Sequence, residues 1–206
     1  LKFEISKGST VYNVRLDTAT VQNQDIKDAE KVGEDGCSVT TLDDMHQLLD
    51  GLKLEEYPLY MYGGASSLPL LAMTAAAVQS SGKTMEKVTG FAGANPIGQM
   101  VRKGKNYATL AQLYDEMAEA AFWAKKYAPK LRTIMVRSDA VSRGGANDVQ
   151  DTAYILAMAV EYIRALMERG LTIKEAASQI FFGVSMGANF FMQIAKLRAS
   201  RPIWAN

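Results

Sequence analysis

Apolar and polar positions along this chain switch repeatedly between two periods. Short runs rich in β-branched and aromatic residues stand at Thr10–Asp17 (TVYNVRLD), Tyr57–Tyr62 (YPLYMY), Lys87–Gly93 (KVTGFAG), Arg132–Ser138 (RTIMVRS) and Gln179–Ser185 (QIFFGVS). Runs of this kind predict strands. Helical spacing fills the stretches between them. TLDDMHQLLDG predicts a helix with Thr41 as its cap, Asp44 completing a capping box and Gly51 stopping it. ATLAQLYDEMAEAAFWAKKYAP puts Leu110, Leu113, Met117, Ala121 and Ala124 on one face and ends at Pro129. NDVQDTAYILAMAVEYIRALMERG runs from a capping Asn147 to Gly170, and Val149, Ala153, Leu156, Val160, Ile163 and Met167 form its predicted apolar stripe. TIKEAASQ carries a capping box of its own, Thr172 with Glu175.

Five strands separated by helices predict a parallel α/β architecture, because parallel neighbours need a crossover connection. An open doubly wound sheet and part of an eight-fold (β/α)8 barrel both satisfy this pattern, and the wide spacing of the strands suits a barrel with insertions. In either case ligands gather at the C-terminal strand ends. These read LDTATVQNQD, YGGASS, GANPIG, SDAVSRGGAN and SMGANFF, rich in Gly, Ala, Ser and Asn and poor in acid–base groups. No linker or break in composition divides residues 1–206, which reads as a single domain.

Composition narrows the partners. With 206 residues, 48% of them hydrophobic, the chain can bury a sizeable core, and a net charge of +1 gives no broad attraction to nucleic acid or an acidic membrane. The longest apolar run, Leu68–Val78, is too short to span a bilayer. One cysteine, Cys37, permits no intramolecular disulfide and points to a reducing, cytoplasmic setting, with Cys37 expected to be a small buried apolar residue. The start has no signal-peptide pattern, and opening on Leu1 suggests a piece of something longer. The one histidine, His46, falls in a helix away from the strand ends, and no His/Cys/Asp/Glu group has metal-ligand spacing.

The stretch GFAGANPIGQMVRKGK looks at first like a phosphate loop, with Gly93 and Gly98 at the required separation. A Walker loop needs Lys and then Ser/Thr after its last glycine, whereas Gln99 and Met100 follow Gly98, and Pro96 removes a backbone donor. That reading fails. Arg102, Lys103 and Lys105 remain, at what the pattern predicts to be a solvated helix end.

Three segments carry a family resemblance: YGGASSLPLLAMTAAAVQSSG, AKKYAPKLRTIMVRSDAVSRGGANDVQDTAYILAMAVEYIRALMERGL and FFGVSMGANFFMQIAKLRASRPIWA. They resemble the substrate-binding barrel of the adenosylcobalamin-dependent acyl-CoA mutases, the methylmalonyl-CoA mutase family. The resemblance is weakest before Gly36 and implies a TIM barrel of which this chain holds roughly the first five strand–helix units, without the cobalamin-binding domain. Departures from the family pattern fall on the site. Where catalytic members end the third strand in T-I-Q-N-D, this chain has GFAGAN, so Gly93 and Ala94 stand at the Gln and Asn places. Where they end the fourth in S-G-Y-H, Asp139 and Ala140 stand at the Tyr and His places. Tyr60 and Tyr62 replace the small hydroxyls of the second strand, and the R-G-Y-D-S-D stretch has no counterpart in TATVQNQDIKD. The family's arginine after the third strand falls nearest Lys103, one step from Arg102, and these two are the candidate substrate-binding residues.

The resemblance therefore implies the small, non-catalytic (β) subunit of a methylmalonyl-CoA mutase, one that supports a large catalytic subunit interconverting methylmalonyl-CoA and succinyl-CoA in a heterodimer. No catalytic residue, metal or cofactor is expected on this chain, adenosylcobalamin being implied for the partner. A five-strand piece would leave open edges prone to self-association. The alternative is an α/β isomerase or binding module with its own site for an acyl-CoA or phosphorylated ligand, Arg102, Lys103 and Arg143 acting as anion binders.

Overall fold

All five expected strands form, four of them shorter than their sequence runs and the fourth in the chain shifted by one residue: β1 Tyr12–Val14, β2 Leu59–Tyr62, β3 Gly90–Ala94, β4 Leu131–Arg137 and β5 Ile180–Gly183. The computed structural model describes residues 1–29 and 31–205. The helices are α1 Lys2–Ser6, α2 Thr18–Val21, α3 Leu42–Leu49, α4 Ser67–Ser80 and α5 Pro96–Lys103, then α6 Leu110–Tyr127, α7 Asp139–Arg143, α8 Asp148–Glu168, α9 Ile173–Ser178 and α10 Phe190–Ala205. The capping boxes at Thr41 and Thr172 form as the sequence predicts, and two more form at Thr109 with Gln112 and at Asn147 with Gln150.

The strands pair in parallel in the order β1-β2-β3-β4-β5, the order of the chain. A doubly wound sheet reverses at a switch point, and this one never does. With right-handed crossovers, a constant direction of travel puts every connecting helix on the same face. Two apolar clusters fill the helix side. One joins Leu59, Met61 and Ala92 to Met45, Leu70 and Val78, and the other joins Ile134, Val136 and Ile180 to Met117, Ala121, Ile155, Ala159 and Leu166.

The other face is strongly concave. Tyr60 on β2, Phe91 on β3 and Phe181 on β5 meet there, with ring centroids 5.6 to 5.8 Å apart. Two strands separate β2 from β5, so in a flat sheet their backbones would stand about 14 Å apart. Only a rolled sheet brings their rings into contact. The Tyr60 hydroxyl also reaches Met135 Sδ on β4 at 3.5 Å.

Two expectations are corrected. In α8 the buried face is Thr152, Ile155, Ala159, Tyr162 and Leu166, whereas Val149 is 75% exposed and Val160 42%. The helix is apolar on much of its circumference, so its period allowed two stripes, and packing selected the one holding Tyr162 and the small Ala159. Cys37 is exposed rather than buried, because its backbone, not its side chain, is engaged: Cys37 N–H donates to Arg15 O at 2.8 Å, and Asp17 N–H donates to Cys37 O at 2.9 Å. Helix α10 has the opposite of the usual polarity. It buries Gln193 and Lys196 and exposes Phe190, Phe191 and Ile203. The buried pair faces acids on α8: Lys196 bonds Asp151 and Asp148, and Gln193 donates to Asp148 at 2.9 Å.

Candidate functional site

Residues 93 and 98 need glycine for packing. A Cβ on Gly93 would lie 1.8 Å from the carbonyl oxygen of Thr133, because β3 and β4 approach closely where their register shifts between Phe91 and Ala94. A Cβ on Gly98 would lie 2.1 Å from Asn95 Nδ2. Asn95 is the cap of α5 and accepts from Gly98 N–H at 3.2 Å, so the glycine makes room for its own helix cap.

A buried hydrogen-bond chain fixes the start of α5. The Tyr162 hydroxyl donates to Asn95 Oδ1 at 2.7 Å and accepts from Ile97 N–H at 2.9 Å. Burial pushes the Tyr162 phenol well above its ordinary range, so it serves as a neutral hydroxyl. Pro96 starts the helix, Gly104 ends it at φ +73°, and the last turn carries Arg102 and Lys103.

That last turn borders a cleft of about 690 Å³ at the C-terminal ends of β1, β2 and β4. Arg15, Tyr60, Tyr62, Arg102, Lys103, Arg137, Asp139 and Arg143 line it, so the structure brings the candidate substrate residues Arg102 and Lys103 to one place with Arg143, the third anion binder of the alternative reading, at the end of α7. Its acids already have partners. Asp17 accepts from Thr20 N–H at 2.9 Å and Gly33 N–H at 2.8 Å; burial alone would raise its pKa, but these bonds prevail and hold it below the usual carboxylate range. Asp35 pairs with Arg15 at 3.2 Å, and Asp139 grips Arg137 at 3.0 and 3.1 Å. Among the described residues, no carboxylate stands at ion-pair distance from Arg102, Lys103 or Arg143.

The sequence reading did not single out Arg137. It sits under the cleft with its guanidinium 5.5 Å from the Tyr62 ring centroid. An arginine directly after the apolar run Ile134–Val136, at the C-terminal end of a strand, was the signal that could have found it. Burial raises the Tyr62 phenol, while the nearby Arg102 and Arg137 charges pull it back. Asp139 and Ala140 lie at the start of α7, the former committed to Arg137. His46 is remote, on α3 beside Ser80, and no metal-binding group of acids, His and Cys occurs among the described residues. None of the described helices is long and apolar enough to cross a membrane.

A rolled parallel sheet with a cleft at its C-terminal mouth is a geometry many enzymes share, and sequence comparison separates them. The family model for methylmalonyl-CoA mutase matches residues 1–206. The chain belongs to the methylmalonyl-CoA mutase family. Methylmalonyl-CoA mutase of Escherichia coli (strain K12) is 28% identical over 204 residues, which cover 98% of this chain and 29% of that protein. The mitochondrial methylmalonyl-CoA mutase of Homo sapiens is 29% identical over 208 residues, covering 100% of this chain and 28% of that protein. The methylmalonyl-CoA mutase large subunit of Streptomyces virginiae is 33% identical over 175 residues, covering 84% of the chain and 24% of that protein. The chain thus spans less than a third of the length of these mutases.

Proposed function

We propose that this chain is the substrate-barrel portion of a small mutase subunit that performs no chemistry itself and docks on a large catalytic subunit interconverting methylmalonyl-CoA and succinyl-CoA. Its five strands would be the first five of a (β/α)8 barrel, a reading supported by their unreversed order and the contact between β2 and β5 rings. The observation that carries the proposal is the filled concave face. Tyr60, Phe91 and Phe181 pack where a thioester tail would have to thread, and Gly93 has no space for a side chain of any kind.

Radical rearrangement needs a dry pocket and a donor on the thioester oxygen. The strand-end residues do not fit that chemistry or adenosylcobalamin: Gly93 and Ala140 lack side-chain donors, and Asp139 is held by Arg137. Cofactor chemistry in the complex is accordingly assigned to the partner. The reading keeps the protein in the cytoplasm, a reducing compartment where exposed Cys37 stays a thiol; its human relative is named mitochondrial.

A second reading is favoured by the unpaired cations of the cleft. In it the chain binds an acyl-CoA or phosphorylated ligand itself, with Lys103 and Arg102 as substrate contacts. That reading lacks a general base at any strand end. Calorimetry of the full-length protein against coenzyme A thioesters and adenosylcobalamin, before and after adding a large mutase subunit, separates the two. No binding alone and a tight complex with the subunit is expected. Micromolar thioester binding by the chain alone would sink the first reading and carry the second.

A further inference from the structure

We draw no further inference here: the strongest candidate, the exposed apolar face of α10 formed by Phe190, Phe191, Ile194 and Leu197 beside the edge strand β5, carries none because nothing in the structure shows what covers it.

Discussion

Replacing Gly93 with alanine tests whether the glycine is a packing requirement or a relic of an abandoned site. The added Cβ would lie 1.8 Å from Thr133 O and 2.5 Å from Thr133 C, both backbone atoms that no rotamer change can move. Strands β3 and β4 must part by more than an ångström, at the place where their register already shifts. Overpacking of this kind costs about 1–3 kcal/mol. Ladder hydrogen bonds stretched by the separation add about 1 kcal/mol each, so a total near 4 kcal/mol is expected. In a domain of this size that lowers Tm by about 8–16 °C. Gly104→Ala supplies the control: its φ is +73° with nothing within 4 Å, so only conformational strain of about 1 kcal/mol is at stake. Thermal unfolding followed by circular dichroism, with amide exchange across β3 and β4, measures both. A loss at Gly93 no larger than at Gly104 would refute the reasoning. The same geometry means that Gly93→Gln combined with Ala140→His restores no turnover, since the glutamine has no place to start.

Other substitutions probe the buried charge and the long helix. Lys196→Met should cost about 3–5 kcal/mol in urea unfolding, because it strands Asp151, which is 1% exposed, and pairing it with Asp151→Leu should recover much of that loss. Ile155→Asp should cost at least about 4 kcal/mol while Val160→Asp costs under about 1 kcal/mol; the reverse order would show that α8 faces the other way. Two capping acids sit at about 2: Glu175, held by Lys125 and Thr172, and Asp44, held by the N–H groups of Thr40 and Thr41. Both folded values lie below the ordinary 4.5 and 3.8, so their stabilisation is full above pH 4.5 and is lost as pH falls toward 2. Faster amide exchange at Thr41 and Thr172 across that window would report it, and protection that is flat across it would contradict the assignment.

The strands, the caps and the alternation were legible because each rests on local chemistry. A capping box is written in four residues, and a strand bounded by turn residues in about six. What the sequence could not resolve was everything set by a distant partner. The stripe of α8 was ambiguous until Tyr162 found Asn95, 67 positions away. The inward face of α10 is polar because Asp148 and Asp151 wait for Lys196, a match that no hydrophobic period reports. Arg102, Lys103 and Arg143 could be grouped from the sequence as anion binders, but Arg137 and Tyr62 join them only once the sheet rolls.

Gly93 also changes the meaning of an emptied site. A relic would leave a hollow, with small residues facing space that a substrate once filled. Here the opposite holds on the concave face: backbone closes over Gly93, and the rings of β2, β3 and β5 meet across two intervening strands. The changes depend on one another, because the close approach of β3 to β4 and the reach of Phe181 toward Tyr60 both require the same tight roll. Reversing one residue leaves the others clashing or unsupported. Space has been exchanged for packing inside the sheet, while uncompensated positive charge gathers at its mouth. The proposed non-catalytic reading rests on this exchange, because an enzyme that must admit a pantetheine arm between its strands could tolerate neither the filled face nor the missing donors.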